Sequence, residues 1–287
     1  MNHNIDALHL RHTIDARGAE EYYYLKSTPG RAPQRCHHRV DGPAIIWPDG
    51  SKEWYLQGDV HRGDGLPAVI RADGLHKWYQ KGKLHRVGQP AVTHPTGEYY
   101  LENYDAPHPI AEWWVDGLLH RHDGPATTFL DGSQQWCSNG ELHRIGGPAE
   151  VFADGAENWC ENGRHHRAGA PAVIRTSECA FPDGVEEWWD RGERHRIGAP
   201  AVKYFNGSFA YFERGDLHRL DGPATIMRRD REGADNCCDD EWLEEWFVRG
   251  QSVTDEVAAM IDEQGYRPWQ CWNADSSEWI FFRLRFC

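Results

Sequence analysis

Long hydrophobic runs are missing from this sequence, and the longest apolar stretches, such as 279–282, span only a few residues. A transmembrane helix needs about 20 consecutive apolar residues, so the sequence predicts none. The N-terminal residues 1–6 have no basic region followed by an apolar core, so they do not read as a secretory signal. We therefore expect a cytoplasmic protein.

Basic residues are outnumbered, with 31 Lys and Arg against 45 Asp and Glu and a net charge of −14. Nonspecific binding to nucleic acid or to an anionic membrane needs a basic surface. We expect neither partner, whereas a basic protein partner fits this charge. Lysine is also scarce, at 6 residues against 25 arginines. That bias favours directed, bidentate arginine contacts over general solubilising charge.

Regularly spaced cysteines and catalytic motifs are absent too. The eight cysteines form no disulfide framework, so we expect reduced thiols. Cys36-His37-His38, and Cys237-Cys238 with Cys271, contain metal-binding residue types but lack the short paired spacing of zinc modules. No nucleophile elbow, phosphate loop or metalloprotease motif occurs. We expect no metal, no cofactor and no catalytic residue.

What the chain does contain is a repeat. A His-Arg pair occurs eight times, and a Pro-Ala pair follows it within seven residues. The eight pairs begin at His38, His61, His85, His120, His143, His166, His195 and His218. Their spacings of 23, 24, 35, 23, 23, 29 and 23 residues reveal insertions near 102–109 and 176–181. A third insertion, through 236–240, lengthens the last hairpin.

Each repeat reads as one β-hairpin followed by a Gly-x-x-His-Arg connector. In the unit that begins at His38, a short apolar run is followed by Pro48-Asp49-Gly50, which supplies turn chemistry. Residues 51–56 then read as the return strand. We expect an all-β fold, an elongated twisted antiparallel sheet, in which 1–37 is a degenerate first repeat and 38–250 is the array.

Residues 251–287 differ from the repeats. Ser252 or Thr254 is suited to cap a helix whose apolar stripe contains Val253, Val257, Met260 and Ile261, and Gly265 stops it. Residues 277–286 read as a strand. We expect a small α/β cap that closes the end of the sheet.

The 23-residue period, the Asp-Gly turn, the aromatic residue four positions later and the Gly-x-x-His motif resemble the MORN (membrane occupation and recognition nexus) repeat over about 36–250. The family's His-Gly-x-Gly is replaced here by His-Arg-x-x-Gly-Pro-Ala. The resemblance implies a sheet of hairpins that serves as a scaffold or protein-binding surface. This variant is of the kind found in phage and large-virus proteins, which implies a location in host cytoplasm.

The return strands carry pairs of neighbouring residues, mostly aromatic, that point to opposite faces of the sheet. The pairs are Trp54-Tyr55, Trp78-Tyr79, Trp113-Trp114, Trp136-Cys137, Trp159-Cys160, Trp188-Trp189, Tyr211-Phe212 and Trp246-Phe247. Both ladders are expected to pack. Because the second ladder shrinks to Cys137 and Cys160, an alternative is a notch filled by a partner or by the insertion that contains Tyr104 and His108.

The His-Arg pairs form a further ladder. One interpretation is structural: the histidine bonds a turn carbonyl and the arginine pairs with a turn aspartate, such as Asp41 or Asp221. In four repeats glycine takes that aspartate's place, so Arg86, Arg144, Arg167 and Arg196 lack this acidic neighbour. The alternative is anion recognition, since guanidinium forks suit phosphate or carboxylate.

We therefore predict a noncatalytic protein-binding protein, a scaffold or an inhibitor. The resemblance suggests a phage protein that acts on a host enzyme or defence complex. The alternative is sequestration of a small anionic ligand such as a nucleotide, and an enzyme comes third. Open sheet edges also permit a homodimer.

Overall fold

The computed structural model describes residues 10–96, 109–176, 185–229 and 241–264. The chain divides into two compact units, Met1–Leu142 and His143–Cys287. Both consist of antiparallel β-hairpins, and one helix follows the last of them. The predicted all-β hairpin architecture is confirmed.

The strands of the first unit are short, and most contain two to four residues. They are β1 (Arg11–Ile14), β2 (Glu20–Lys26), β3 (Gln34–His37), β4 (Ile45–Ile46), β5 (Lys52–Glu53), β6 (Tyr55–Leu56), β7 (Asp59–Val60), β8 (Val69–Ile70), β9 (His76–Lys77), β10 (Tyr79–Gln80), β11 (Lys83–Leu84), β12 (Val92–Thr93), β13 (Pro109–Glu112), β14 (Trp114–Val115), β15 (Leu118–Leu119), β16 (Thr127–Phe129), β17 (Gln134–Gln135), β18 (Cys137–Ser138) and β19 (Glu141–Leu142).

The second unit repeats the scheme and ends in a helix. Its elements are β20 (Glu150–Val151), β21 (Glu157–Asn158), β22 (Cys160–Glu161), β23 (Arg164–His165), β24 (Val173–Arg175), β25 (Val185–Glu187), β26 (Trp189–Asp190), β27 (Glu193–Arg194), β28 (Val202–Tyr204), β29 (Phe209–Ala210), β30 (Phe212–Glu213), β31 (Asp216–Leu217), β32 (Thr225–Arg229), β33 (Glu241–Glu245), β34 (Phe247–Val248), β35 (Gln251–Ser252) and α1 (Thr254–Gln264).

Within each unit the long hairpins join edge to edge into one antiparallel sheet. In the first unit β1 pairs with β2, β2 with β3 and β4, and the order continues β4-β5-β8-β9-β12-β13-β16-β17. In the second unit the order is β20-β21-β24-β25-β28-β29-β32-β33. Each repeat therefore contributes two neighbouring strands to its sheet.

Every repeat also forms a second, two-stranded ribbon, which the sequence analysis had interpreted as a connector. The ribbons are β6-β7, β10-β11, β14-β15, β18-β19, β22-β23, β26-β27, β30-β31 and β34-β35. Each turns through two residues with positive φ, such as Gln57 (55°) and Gly58 (93°). Positive φ at both positions defines the type I′ turn, whose twist matches that of the flanking strands. The predicted connector is therefore the return strand of a second hairpin.

The Ala of every Pro-Ala pair lies at the crossing of neighbouring strands and is fully buried. In the second repeat, Ala68 donates its N–H to the Lys77 carbonyl at 2.8 Å and accepts the Trp54 N–H at 2.8 Å. The eight Pro-Ala alanines, all with no exposed surface, are Ala44, Ala68, Ala91, Ala126, Ala149, Ala172, Ala201 and Ala224.

Helix α1 closes the second unit, as the predicted cap requires. Val253 and Val257 form a buried cluster with Trp246 and Val248, and Met260 and Leu220 pack against it. The predicted apolar stripe is therefore confirmed at Val253, Val257 and Met260. The expected stop at Gly265 and the strand at 277–286 lie outside the described residues.

Candidate partner-binding loops

The histidine of every His-Arg pair accepts a hydrogen bond from a ribbon turn. The acceptor is Nδ1, and the donor is the N–H of the first residue of the type I′ turn that follows. The pairs are His38 with Gln57 (3.0 Å), His61 with Lys81 (3.3 Å), His85 with Asp116 (3.1 Å), His120 with Asn139 (3.1 Å), His143 with Asn162 (3.1 Å), His166 with Arg191 (3.4 Å), His195 with Arg214 (3.3 Å) and His218 with Arg249 (3.1 Å).

This geometry corrects the expectation that the histidines bond turn carbonyls. An Nδ1 that accepts an N–H carries no proton, so the geometry assigns a neutral imidazole protonated on Nε2. At His38, burial also lowers the pKa of the imidazole, which favours the same form. At His85 and His166 a carboxylate oxygen, from Asp116 and Asp190, lies 3.2 and 3.0 Å from the same Nδ1. A proton on Nδ1 would be hydrogen-bonded to that carboxylate, so at these two positions the turn N–H does not by itself fix the tautomer.

The arginine of every pair is bound inside its own loop. Nη1 donates to the carbonyl oxygen of the proline that follows: Arg39 to Pro43 (3.3 Å), Arg62 to Pro67 (3.1 Å), Arg86 to Pro90 (3.1 Å), Arg121 to Pro125 (3.1 Å), Arg144 to Pro148 (3.1 Å), Arg167 to Pro171 (3.1 Å), Arg196 to Pro200 (3.2 Å) and Arg219 to Pro223 (3.2 Å). A proline carbonyl, rather than an aspartate, is the common partner. Arg39 and Arg219 additionally contact Asp41 and Asp221, at 3.0 and 2.7 Å.

The guanidinium also stacks on the first aromatic residue of the preceding return strand. The distances from Cζ to the ring centre are 4.0 Å for Arg39 on Tyr22, 3.8 Å for Arg62 on Trp54, 3.8 Å for Arg86 on Trp78, 3.9 Å for Arg121 on Trp113, 3.6 Å for Arg167 on Trp159, 3.8 Å for Arg196 on Trp188 and 4.2 Å for Arg219 on Tyr211. In these repeats the aromatic ladder and the arginine ladder therefore meet in cation–π stacks, one stack in each repeat. Tyr22 and Tyr211 provide the ring in two of these stacks, and tryptophans provide it in the other five.

In most repeats the residue after the His-Arg pair is the part of the loop that faces solvent. Val40, Val87, Ile145 and Ile197 occupy this position in four repeats and are 80%, 83%, 82% and 88% exposed. The sequence analysis singled out the pair and missed its neighbour. The available signal was a β-branched apolar residue inside a turn motif, where polar residues are usual. We name these four residues the apolar loop residues.

Grooves separate the loops of successive repeats. One groove of about 620 Å³ lies between the second and third loops, with Leu66 and Val87 on its walls and Tyr79 among its lining residues. The equivalent groove between the seventh and eighth loops, of about 320 Å³, is lined by Ile197, Phe212 and Glu213. Each unit therefore presents an exposed apolar side chain beside an aromatic-lined groove.

The two cysteines of the second ladder are buried rather than open to solvent. Cys137 is 5% and Cys160 is 3% exposed, and each begins a ribbon strand. Trp136 and Trp159 precede them and are half-buried, and Trp159 Nε1 donates to Glu157 at 3.0 Å. The other predicted contributors to this notch, Tyr104 and His108, lie outside the described residues, as does most of their insertion.

Cys160 and His165 form a close thiol–imidazole pair, with Sγ 3.4 Å from Nδ1. Burial, together with the nearby Glu150 carboxylate, raises the pKa of the thiol to about 11, while burial lowers the pKa of His165. A nucleophilic cysteine needs the opposite, a stabilised thiolate beside a cationic group. The pair is therefore an inert thiol hydrogen-bonded inside the sheet.

The first unit also holds a polar cavity of about 700 Å³, lined by Glu53, Arg71, Lys77 and Tyr55 among others. Glu53 accepts hydrogen bonds from Trp47 Nε1 (3.1 Å) and the Tyr55 hydroxyl (2.9 Å), and Arg71 Nη2 lies 3.2 Å from it. Burial lowers the pKa of Lys77, and Glu112 opposes that shift. Carboxylates thus accompany both cations, which makes the cavity poorly suited to an anion.

Two negative observations apply to the described ranges, 10–96, 109–176, 185–229 and 241–264. They contain no cluster of His, Cys, Asp and Glu arranged to hold a metal ion. No helix in them has the length and apolar character needed to cross a membrane. The candidate at Cys237-Cys238 with Cys271 falls outside these ranges.

Comparison with known proteins adds no relative. The chain matches no protein-family model, and a search of curated proteins finds no similar sequence. The β-hairpin repeat is therefore established by the fold, and the likeness to the MORN family rests on the repeat motif itself.

Proposed function

We propose that this chain is a noncatalytic protein-binding repeat protein, a scaffold or an inhibitor, and that its apolar loop residues contact the partner. The observation that carries the proposal is the exposure of Val40, Val87, Ile145 and Ile197, each 80% or more, at one repeat position. Single exposed apolar residues are ordinary on protein surfaces, but a recurring set beside lined grooves is typical of an interaction surface.

The loops that present these residues are held in shape before any partner arrives. At each apolar loop residue, the preceding histidine accepts a turn N–H and the preceding arginine binds the proline carbonyl of the same loop. A β-branched side chain on such a loop has little rotamer freedom to lose. Preorganisation of this kind lowers the entropic cost of association.

The alternative, sequestration of a small anion by the arginine ladder, has weaker support. Arg86, Arg144, Arg167 and Arg196 were its candidates, and each donates Nη1 to a proline carbonyl at 3.1–3.2 Å. Each guanidinium is therefore already held by its own loop, and an anion would have to bind through the remaining N–H groups. The predicted viral origin and host target stay predictions that follow from the MORN resemblance alone.

Site-specific photo-crosslinking in the full chain tests the proposal. A photoreactive phenylalanine analogue replaces Val87 or Ile197, and in the control it replaces Phe205, which is 58% exposed in a hairpin turn. In lysate of the source cells we expect discrete protein adducts from positions 87 and 197 and none from 205. Equal labelling from all three positions, or no adduct from any, would contradict the proposed protein-binding function. A nucleotide that co-purifies with the parent chain but not with the Arg144→Ala and Arg167→Ala variants would also contradict it.

A further inference from the structure

The second unit shows how the chain itself covers one of its loops. Leu220 follows His218-Arg219 and so corresponds to Ile145 and Ile197 in earlier repeats. Leu220 is half-buried, because it packs against the cluster of Trp246, Val248, Val253 and Val257. Val253 and Val257 belong to the apolar stripe of α1, so an amphipathic helix is what lies against this loop position.

Helix α1 stands where a ninth His-Arg loop would be. The Val253 N–H donates to the Trp246 carbonyl at 2.8 Å, as the His218 N–H donates to the Tyr211 carbonyl at 3.1 Å in the previous repeat. The preceding positions of the second unit, Ile145, Ala168 and Ile197, have no such cover among the described residues. They form an apolar row that continues the surface on which α1 already packs.

We propose that the row of Ile145, Ala168 and Ile197 docks an amphipathic, basic helix of a partner protein, an inference that rests on the proposed protein-binding function. Two antiparallel strands per repeat advance each loop by roughly 10 Å along the sheet. Seven residues of α-helix rise about 10.5 Å. A helix that lies along the loops therefore meets one loop per heptad and presents one side chain to each.

The net charge of the chain favours a basic helix over an acidic one. The groove at Ile197 carries two carboxylates, Glu213 and Asp221, whose side chains are 55% and 80% exposed. Its two arginines, Arg196 and Arg219, are bound to proline carbonyls and stacked on rings. Asp221 also pairs with Arg219 at 2.7 Å, and Glu213 lies 3.6 Å from His218 Nε2, but both carboxylates stay exposed at the rim. The chain as a whole carries a charge of −14.

The same facts disfavour a second copy of the chain as the occupant. A second copy brings another −14, and the first turn of its α1 contains Asp255 and Glu256. The apolar stripe of that helix is already buried against its own Leu220 and Trp246. Like charges facing across an interface oppose association.

Peptide display distinguishes the occupants. Two libraries are panned on the full chain: one is built on a 22-residue helical scaffold, and the other on an extended, proline-containing scaffold of equal length. Ile197→Ser is the counter-target, and Phe205→Ser is the matched control that removes an exposed apolar side chain elsewhere in the unit. Both variants should fold, since residues 197 and 205 are 88% and 58% exposed.

We expect the helical library to yield sequences with an apolar residue every seventh position and flanking Lys or Arg. Their affinity should fall about tenfold or more in Ile197→Ser, the loss of a central apolar anchor, and stay unchanged in Phe205→Ser. Enrichment of extended peptides that depend on Ile197 overturns the helix and keeps the protein-binding function. If the chain forms a dimer that depends on Ile197 and selects no peptide, a second copy is the occupant and the proposed heterologous partner is wrong. If nothing binds in a way that depends on Ile197, both proposals are wrong.

Discussion

The guanidinium carbon of Arg196 lies 3.8 Å from the ring centre of Trp188, and its Nη1 donates to Pro200 at 3.2 Å. One side chain thus ties a return strand to the loop that follows it. The planar guanidinium suits both contacts at once, because it stacks through its face and donates through its edge. This double contact gives a reason for the excess of arginine over lysine in this chain.

Arg196→Lys should therefore destabilise the second unit although the charge is kept. An ammonium group forms neither the flat stack nor the in-plane bond, so we expect a loss of about 1–2 kcal/mol. Urea unfolding measures it. The control is Arg191→Lys, at an exposed turn position, for which we expect a change within about 0.5 kcal/mol. Equal effects of the two variants would mean that the stack does not contribute.

The ribbon turns place non-glycine residues at positive φ, and the sequence does not always use the residue best suited to it. Arg214 has a φ of 51°, whereas the same position holds Asn139 and Asn162 in other repeats, at 53° and 49°. Asparagine tolerates this region better than arginine does. Arg214→Asn should raise the free energy of unfolding by about 0.5–1 kcal/mol.

The reciprocal change, Asn162→Arg, should lower the free energy of unfolding by a similar amount. Both variants keep the backbone N–H that donates to the histidine of their repeat, so the histidine bond is not disturbed. Thermal unfolding of the pair checks the prediction. A shift of the same sign in both would contradict the type I′ assignment.

Acid should weaken the fold through the buried histidine His38. Its Nδ1 accepts the Gln57 N–H at 3.0 Å, and burial lowers the pKa of its imidazole below the usual value of 6.5. The unfolded chain therefore takes up the proton at a higher pH than the folded chain does. The stability from this histidine is complete above pH about 6.5 and is lost as the pH falls toward the lower folded pKa.

Urea unfolding between pH 7.5 and 5 measures this dependence. In His38→Gln the fall in stability with acid should be smaller, because one such group is gone. A parent slope unchanged by His38→Gln would contradict the neutral buried imidazole.

Cys160 should react slowly with alkylating agents. Its thiol is 3% exposed and burial raises its pKa to about 11, so little thiolate is present at pH 8. We expect iodoacetamide to label it at least tenfold more slowly than in the urea-unfolded chain, as read by mass spectrometry of digests. Faster labelling in the folded chain would indicate an activated nucleophile and would revive the enzyme hypothesis.

The repeat and its turns were predictable from the sequence because they depend on local chemistry. Asp49-Gly50 predicts the first hairpin turn. In the structure Gly50 has a φ of 88°, and Asp49 accepts the Ser51 N–H at 2.8 Å. A left-handed backbone conformation restricts the choice of residue so strongly that glycine reveals it. The apolar stripe of α1 could also be predicted, because its spacing depends on neighbouring residues in the sequence.

The second ribbon, the bonding of the His-Arg pairs and the exposure of the residue after each pair were decided by the tertiary structure. His38 meets its donor 19 residues away, and His85 meets its donor 31 residues away. Such partners are fixed by how successive hairpins stack, which the motif alone does not encode. The sequence by itself determined what repeats and where the first hairpin of each repeat turns. The packing of one repeat on the next determined the contacts of histidine and arginine and the exposure of Ile197.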